Sequence, residues 1–291
     1  MRNVKAVHVD VAHQPTSAPI SRSSSTILQM AADDDFMASL KSRMEEVQDL
    51  ETKIPLVVLD SMLPRQVMKI QVKNALLVEL IKNQMQKETP TFGMLGMAIL
   101  KTGEKINLTT GVEVEIFEKP KFVDGGVLLV LKARRRFQIV GLPENAEEGW
   151  TEARVEYLES EDQEEEEVGG GDRMAVARAM MKAKELTAPN ANMKDGASLV
   201  DRWIELAKEN ERSPGQIDTL LEDLGEIPAE DEPTERALWV GALINPLPAL
   251  GVAMEVRPAL LTATTTEKRV EIARDAIFKS IRHMDGSAPM W

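Results

Sequence analysis

Few residues in this chain are of a type that does chemistry, and their spacing limits what they could do. Glu113 and Glu115 are the nearest thing to a carboxylate pair for acid–base work. They stand two apart in an alternating segment, which puts both on one face and predicts that both point to solvent. Arg134-Arg135-Arg136 is a run of fixed positive charge that could take phosphate or carboxylate. There is no cysteine, so disulfides, thiolate metal sites and thiol nucleophiles are excluded. The only histidines are His8, His13 and His283. The first two fall in a leader-like segment, and one imidazole is too few for a nucleophile, base and orienting partner. No GxxxxGK[ST] loop occurs, and Gly169-Gly170-Gly171-Asp172 has neither the spacing nor the lysine to cradle phosphate. A non-enzymatic chain that uses no cofactor and no metal is the reading these residues support. What the chain does have is 16 methionines, flexible and polarizable side chains that suit surfaces accepting varied partners. Met68, Met94 and Met97 fall on expected strands and Met180, Met181 and Met254 on expected helices; most would fill gaps in a core.

The elements that must position these groups centre on residues 111–141. Val112, Val114 and Ile116 alternate with glutamates, the pattern of a strand with one buried face. Asp124-Gly125-Gly126 supplies a tight turn, and Val127 to Leu131 is an unbroken apolar run expected to be covered on both faces. The arginines interrupt that run; Phe137, Ile139 and Val140 resume it. Alternation would send Arg135 to one face and its neighbours to the other. A lone hairpin is not stable in water, so neighbouring segments must close a sheet around it. Candidates are Ile54 to Leu59, Val67 to Val72, Phe92 to Leu100 and Trp150 to Leu158, with a helix over Asn74 to Lys87. Gly93 and Gly96 would permit a close approach or a bulge. About six strands and one helix suit a small, partly open barrel.

Residues 1–31 are basic, rich in Ser and Thr and hold the single acid Asp10. That is the composition of an organellar transit peptide, with plastid favoured over mitochondrion. A short helix is expected over 36–51. Residues 159–172, ESEDQEEEEVGGGD, can bury almost nothing and form a solvated linker. The remainder, 173–286, is helical. Ser198 with Asp201, Ser213-Pro214-Gly215-Gln216 and Thr264 with Glu267 read as helix starts, and Gly225 as a stop. Ala237 to Met254 is nearly long enough to cross a membrane, but Asn245-Pro246-Leu247-Pro248 breaks it, so it reads as a helical core. The expected division is therefore a barrel domain over 52–158, the linker, and a helical bundle: an α+β chain.

These residues also resemble a known family, the amino-terminal substrate-recognition domain of Lon-type ATP-dependent proteases. The resemblance lies in Ile54-Pro55-Leu56, Leu63-Pro64, Phe92 to Leu95, Gly111 to Ile116, Asp124-Gly125-Gly126, Arg135 to Ile139, Ala153 to Leu158, Leu260-Leu261 and Lys268-Arg269-Val270. It implies a PUA-like pseudo-β-barrel followed by a helical bundle. Two positions depart from the family's pattern: Arg65 and Ala133 stand where it favours glycine. The resemblance implies a recognition module without the ATPase or the protease, one that binds unfolded or exposed protein segments as a protease adaptor or chaperone-like factor. Met68, Met94, Met97, Arg134 and Arg136 are the candidate partner-binding residues. The alternative is RNA binding, since PUA-like barrels can do this; it rests on the arginine run. A net charge of -13 opposes nucleic acid and anionic membrane as partners, and no aromatic stacking platform is evident.

Overall fold

The computed structural model describes residues 53–99, 102–123, 126–158, 173–190 and 196–289. The leader over 1–31, the expected helix over 36–51, Asp124-Gly125 and the acidic stretch 159–172 lie outside the described residues. The architecture is α+β, with seven strands and seven helices among the described residues. The strands are β1 (Lys53–Val58), β2 (Val67–Val72), β3 (Thr91–Ile99), β4 (Lys105–Ile116), β5 (Lys121–Val123), β6 (Gly126–Asn145) and β7 (Thr151–Tyr157). A helix, α1 (Ala75–Gln84), follows β2 and is capped by Asn74 Oδ1, which accepts from Leu77 N.

Strand pairing closes a ring. β6 pairs with β4, β4 with β3, β3 with β1 in parallel, β1 with β7, and β7 returns to β6. β2 and β5 lie outside the ring, each paired with β6. The ring's interior is narrow. Phe137 fills it with Ile54, Leu56, Leu95, Ala153 and Val155. Gly93 and Gly111 leave room for that ring: a Cβ on either would stand 2.8 or 2.9 Å from Phe137 Cζ.

The larger core lies between the outer face of the sheet and the helices. Met62, Leu63, Val112, Val114 and Leu131 meet Trp203, Leu238, Leu260 and Ile277 in one apolar cluster. The helices are α2 (Arg173–Glu185), α3 (Leu199–Glu209), α4 (Gln216–Leu224), α5 (Pro233–Ile244), α6 (Arg257–Thr262) and α7 (Thr266–Met284). Apart from Glu235, α5 is buried along its length; its one buried charge, Arg236, donates to Pro228 O and Thr187 Oγ1. It stops at Asn245, and no described helix is long and apolar enough to cross a membrane.

Several local expectations are corrected. The run from Val127 to Leu131 is not covered on both faces: Leu128 is exposed and Val127, Leu129 and Leu131 are buried, so the strand alternates. The arginines do not interrupt it, because β6 runs unbroken through them. Ser213 caps nothing. Its helix begins at Gln216, and the Glu211 carboxylate accepts from Gly215 N and Ile217 N instead. The last helix is capped by Thr265, one residue after the expected Thr264.

Arg65 and Ala133, the two departures from the family pattern, meet each other. Arg65 N donates to Ala133 O at 2.9 Å, and Ala133 N donates to Gln66 O at 2.9 Å. Arg65 keeps the left-handed backbone that glycine would favour, with φ 72°. Its Nη1 donates to Glu226 O at 2.9 Å and Leu224 O at 3.4 Å, which offsets part of that strain.

Candidate functional site

A groove opens where the far ends of β3 and β4 face α6, and it begins with a bulge. Between Leu95 and Met97 the β3–β4 register shifts, and pairing resumes as Met97 with Asn107 and Ala98 with Ile106. Gly96 sits at the shift because nothing larger fits. A Cβ there would stand 1.8 Å from Ser61 Oγ and 2.8 Å from Ser61 Cα. Beyond the bulge Met97 is 39% exposed and Ile106 38%, while Leu108 stays buried. Met97 stands opposite Asn107 and Ile106 opposite Ala98, so the two exposed apolar side chains leave opposite faces of the strand pair, and both line the groove.

The opposite wall is α6 and the chain leading into it. Asn245 fixes that chain: its Nδ2 donates to Met254 O at 2.9 Å and its Oδ1 accepts from Val256 N at 3.1 Å. Asn245 O in turn accepts from Gln66 Nε2 at 2.8 Å, and Gln66 Oε1 accepts from Leu63 N at 2.9 Å. A buried glutamine therefore ties the turn after β1 to the end of α5. Glu255 Oε1 accepts from Arg257 Nε at 2.8 Å and from Arg257 N at 2.9 Å; Glu255 Oε2 takes Arg257 Nη2. Arg257 Nη1 and Ser61 Oγ, both in buried residues lining the groove, find no hydrogen-bond partner. The groove holds about 710 Å³, and Lys105, Pro258 and Ala259 also line it. Arg257 Nη1 and Ser61 Oγ are both shielded from solvent as they stand, so oxygens of a bound segment would reach them only after the Ser61 and Arg257 side chains turn toward the groove.

A second polar cluster sits where β4, β6 and β7 meet. Glu113 is buried, which corrects the expectation that it faces solvent. Its Oε2 accepts from Arg135 Nε at 2.8 Å and its Oε1 from Tyr157 OH at 2.9 Å. The Arg135 guanidinium lies 3.5 Å from the centre of the Tyr157 ring. Burial first, then the Glu113 carboxylate, pushes the Tyr157 phenol up to about 12, with Arg135 opposing. Glu115, partly exposed, pairs with Arg134. The arginines do not alternate because β6 carries an extra residue here: Val112 faces Arg136, but Val114 already faces Ala133. Arg134 and Arg135 thus both reach glutamates of β4. Arg136 is buried, its Nη2 donating to Leu158 O at 3.2 Å.

The five candidate residues are therefore scattered. Met94 and Met68 are buried in the main core and Arg136 beneath β6, so none of these three presents a surface to a partner. Arg134 is exposed but engaged by Glu115; Met97 is exposed and lines the groove. Sequence reasoning missed Ser61, Gln66, Asn245 and Arg257. Among the described residues no group of His, Cys, Asp or Glu could hold a metal ion.

Residues 53–275 match the ATP-dependent protease La (LON) substrate-binding domain. The fold is similar to a Lon N-terminal domain protein from Xanthomonas campestris, at 21% identity, TM-score 0.31, over 59% of this chain and 90% of that one. It is also similar to the N-terminal domain of Mycobacterium avium complex Lon protease, at 15% identity, TM-score 0.44, over 78% and 98%. No curated protein matches.

Proposed function

We infer a function from the premise that this chain belongs to the family of ATP-dependent protease La (LON) substrate-binding domains. The family is one of substrate recognition, and the recognised molecules are protein segments. We propose that this chain holds extended, partly apolar segments of unfolded or exposed polypeptide in the groove between β3, β4 and α6. It does so without catalysing a reaction and hands the segment to a separate protease or keeps it from aggregating. A plastid setting belongs to the same proposal and rests on the composition of residues 1–31.

The observation that carries this reading is the pairing of exposed Met97 and Ile106 with the unpartnered donors of Ser61 and Arg257 in one groove. Apolar side chains of a bound segment would cover the first two, and its oxygens would accept from the others once those buried side chains turn toward the groove. The test is fluorescence anisotropy with a labelled, permanently unfolded protein such as reduced and carboxymethylated lactalbumin. Met97→Asp and Ile106→Asp place a charge on the floor of the groove at exposed positions. Each is expected to weaken binding about tenfold or more while circular dichroism stays unchanged, since a carboxylate must be desolvated on binding. Wild-type affinity in both variants would overturn the assignment of this groove.

A further inference from the structure

On an acidic molecule, one face is basic and apolar together. β2 and β5 flank β6 there, and β4 ends beside them. Phe117, just past β4, is 54% exposed, and Val123 and Leu128 are exposed as well; Phe122, which stands opposite buried Val127, turns to the other face of the sheet. Large apolar side chains in such a group are uncommon on a surface that nothing covers. The register shows which of them share a face. Lys69 stands opposite Val130 and Gln71 opposite Leu128 on β2 and β6, and Lys121 stands opposite Leu128 on β5 and β6. Lys132 Nζ lies 5.1 Å from the centre of the Phe117 ring. A concavity of about 270 Å³ runs between these strands, lined by Lys69, Lys119, Lys121, Leu128 and Val130.

Charge says what could cover it. Lys69, Lys119, Lys121 and Lys132 form no ion pair among the described residues. The acids facing them are Glu115, opposite Lys132 and engaged by Arg134, Glu118 in the wall of the concavity, and Asp223 on α4, near Lys69 and Lys132 and beside Glu222. With Glu115 matched by Arg134, four lysines face three acids here, against a net charge of -13 for the chain. Elsewhere lysines and arginines on this protein are mostly engaged, as Lys182 is by Glu267 and Glu271. Free lysines around exposed Phe117, Val123 and Leu128 complement a ligand that is itself acidic and apolar.

We propose that this face is a second docking surface, for an extended protein segment in which acidic side chains alternate with apolar ones. An extended chain repeats its alternate side chains about 7 Å apart, which matches the pleat of the strands it would lie along. β2 and β5 each have a partner strand on one side only among the described residues, so an added strand has an edge to meet. Extent separates this occupant from other anions. A short segment feels the local lysines, because charges beyond roughly 8–10 Å are screened in physiological salt. A long nucleic acid or a membrane would also meet the surrounding acidic surface. The proposal is independent of the groove beside α6, which lies on other strands.

The test uses the full chain and two labelled twelve-residue peptides, one alternating glutamate with leucine and phenylalanine, the other lysine with the same apolar residues. The acidic peptide is expected to bind, more weakly as salt rises, and the basic one to bind at least tenfold more weakly. Lys119→Glu with Lys121→Glu, at exposed positions, should weaken the acidic peptide tenfold or more with thermal melting unchanged. Phe117→Ser with Leu128→Ser should do the same, whereas Met97→Asp should leave its affinity as it was. No binding of the acidic peptide, or binding indifferent to the charge reversal, would overturn the proposal. So would tighter binding of phosphatidylserine vesicles or of an oligouridylate lost in the same lysine variant.

Discussion

Two arginine–glutamate pairings in this molecule look alike and do opposite things. At the seam of β4, β6 and β7, Glu113 accepts from Arg135 and Tyr157, using both carboxylate oxygens within the protein. Beside α6, Glu255 takes two nitrogens of Arg257 and leaves the third, Nη1, without a partner; Ser61 Oγ, in the same groove lining, has none either. The first pairing joins three strands and closes the barrel. The second holds a buried arginine beside the proposed groove with one nitrogen unpartnered. The cluster with more charge is thus the structural one, and the proposed groove rests on unpartnered donors and exposed apolar side chains instead.

Substitutions should separate the two regions. The largest effect is expected from Glu113→Ala. It strips Arg135 Nε and the Tyr157 hydroxyl of their acceptor. Arg135 is partly exposed and can turn to water, so the cost should be about 2 kcal/mol rather than that of a fully buried pair. Thermal melting should fall by roughly 4–8 °C, with binding of unfolded protein in the groove unchanged. If binding were lost instead, the seam would belong to the site.

Tyr157 offers a smaller, cleaner readout, being the only tyrosine. Its phenol is raised in the folded state from an ordinary 10 to about 12. The folded protein then keeps this proton where the unfolded chain has lost it. Stability should be level with respect to this group below pH 10 and fall as pH rises from 10 towards 12. Phenolate absorbance against pH should show the raised midpoint, and Glu113→Ala should bring it down, because the carboxylate charge and hydrogen bond that help raise it are gone. A midpoint near 10 in the wild-type protein would contradict the buried contact.

The smallest effect, and the opposite sign, is expected at Ser61→Ala. A hydroxyl without a partner contributes nothing to the fold, so melting should stay level or rise by up to about 1 kcal/mol. Binding in the groove should weaken roughly threefold to fivefold, the worth of one net hydrogen bond of about 1 kcal/mol. A clear loss of stability with unchanged binding would make Ser61 another member of the structural class.

The ring of strands was legible because alternation and turn residues are local signals. Val112, Val114 and Ile116 on β4 and Met68, Ile70 and Val72 on β2 announce a sheet with one covered face. Ser198 announced the start of α3, accepting from Asp201 N. Where local signals competed, the reading failed. Glu211 displaced Ser213 as the cap of α4, since a carboxylate two residues upstream can reach the same amides. The extra residue on β6 opposite Glu113 leaves no mark in the sequence, so the facing of Arg134 and Arg135 could not be read from period two. The groove was the least legible part. Gln66 and Asn245 are 179 positions apart, and Asn245 reads locally only as a helix breaker. Ser61 and Arg257 are 196 positions apart and line one groove only in the folded chain. Gly96, noted as permitting a bulge, was the one local hint.

Met97 and Arg134 are both exposed, both on the barrel, and lie on opposite sides of this comparison. Replacing each in turn with a photoreactive benzoylphenylalanine, and illuminating each variant with the same labelled unfolded protein, asks directly which region is touched. The account predicts cross-linking from position 97, suppressed by excess unlabelled unfolded protein, and little from position 134. Cross-linking from position 134 that equals or exceeds that from position 97 would contradict it.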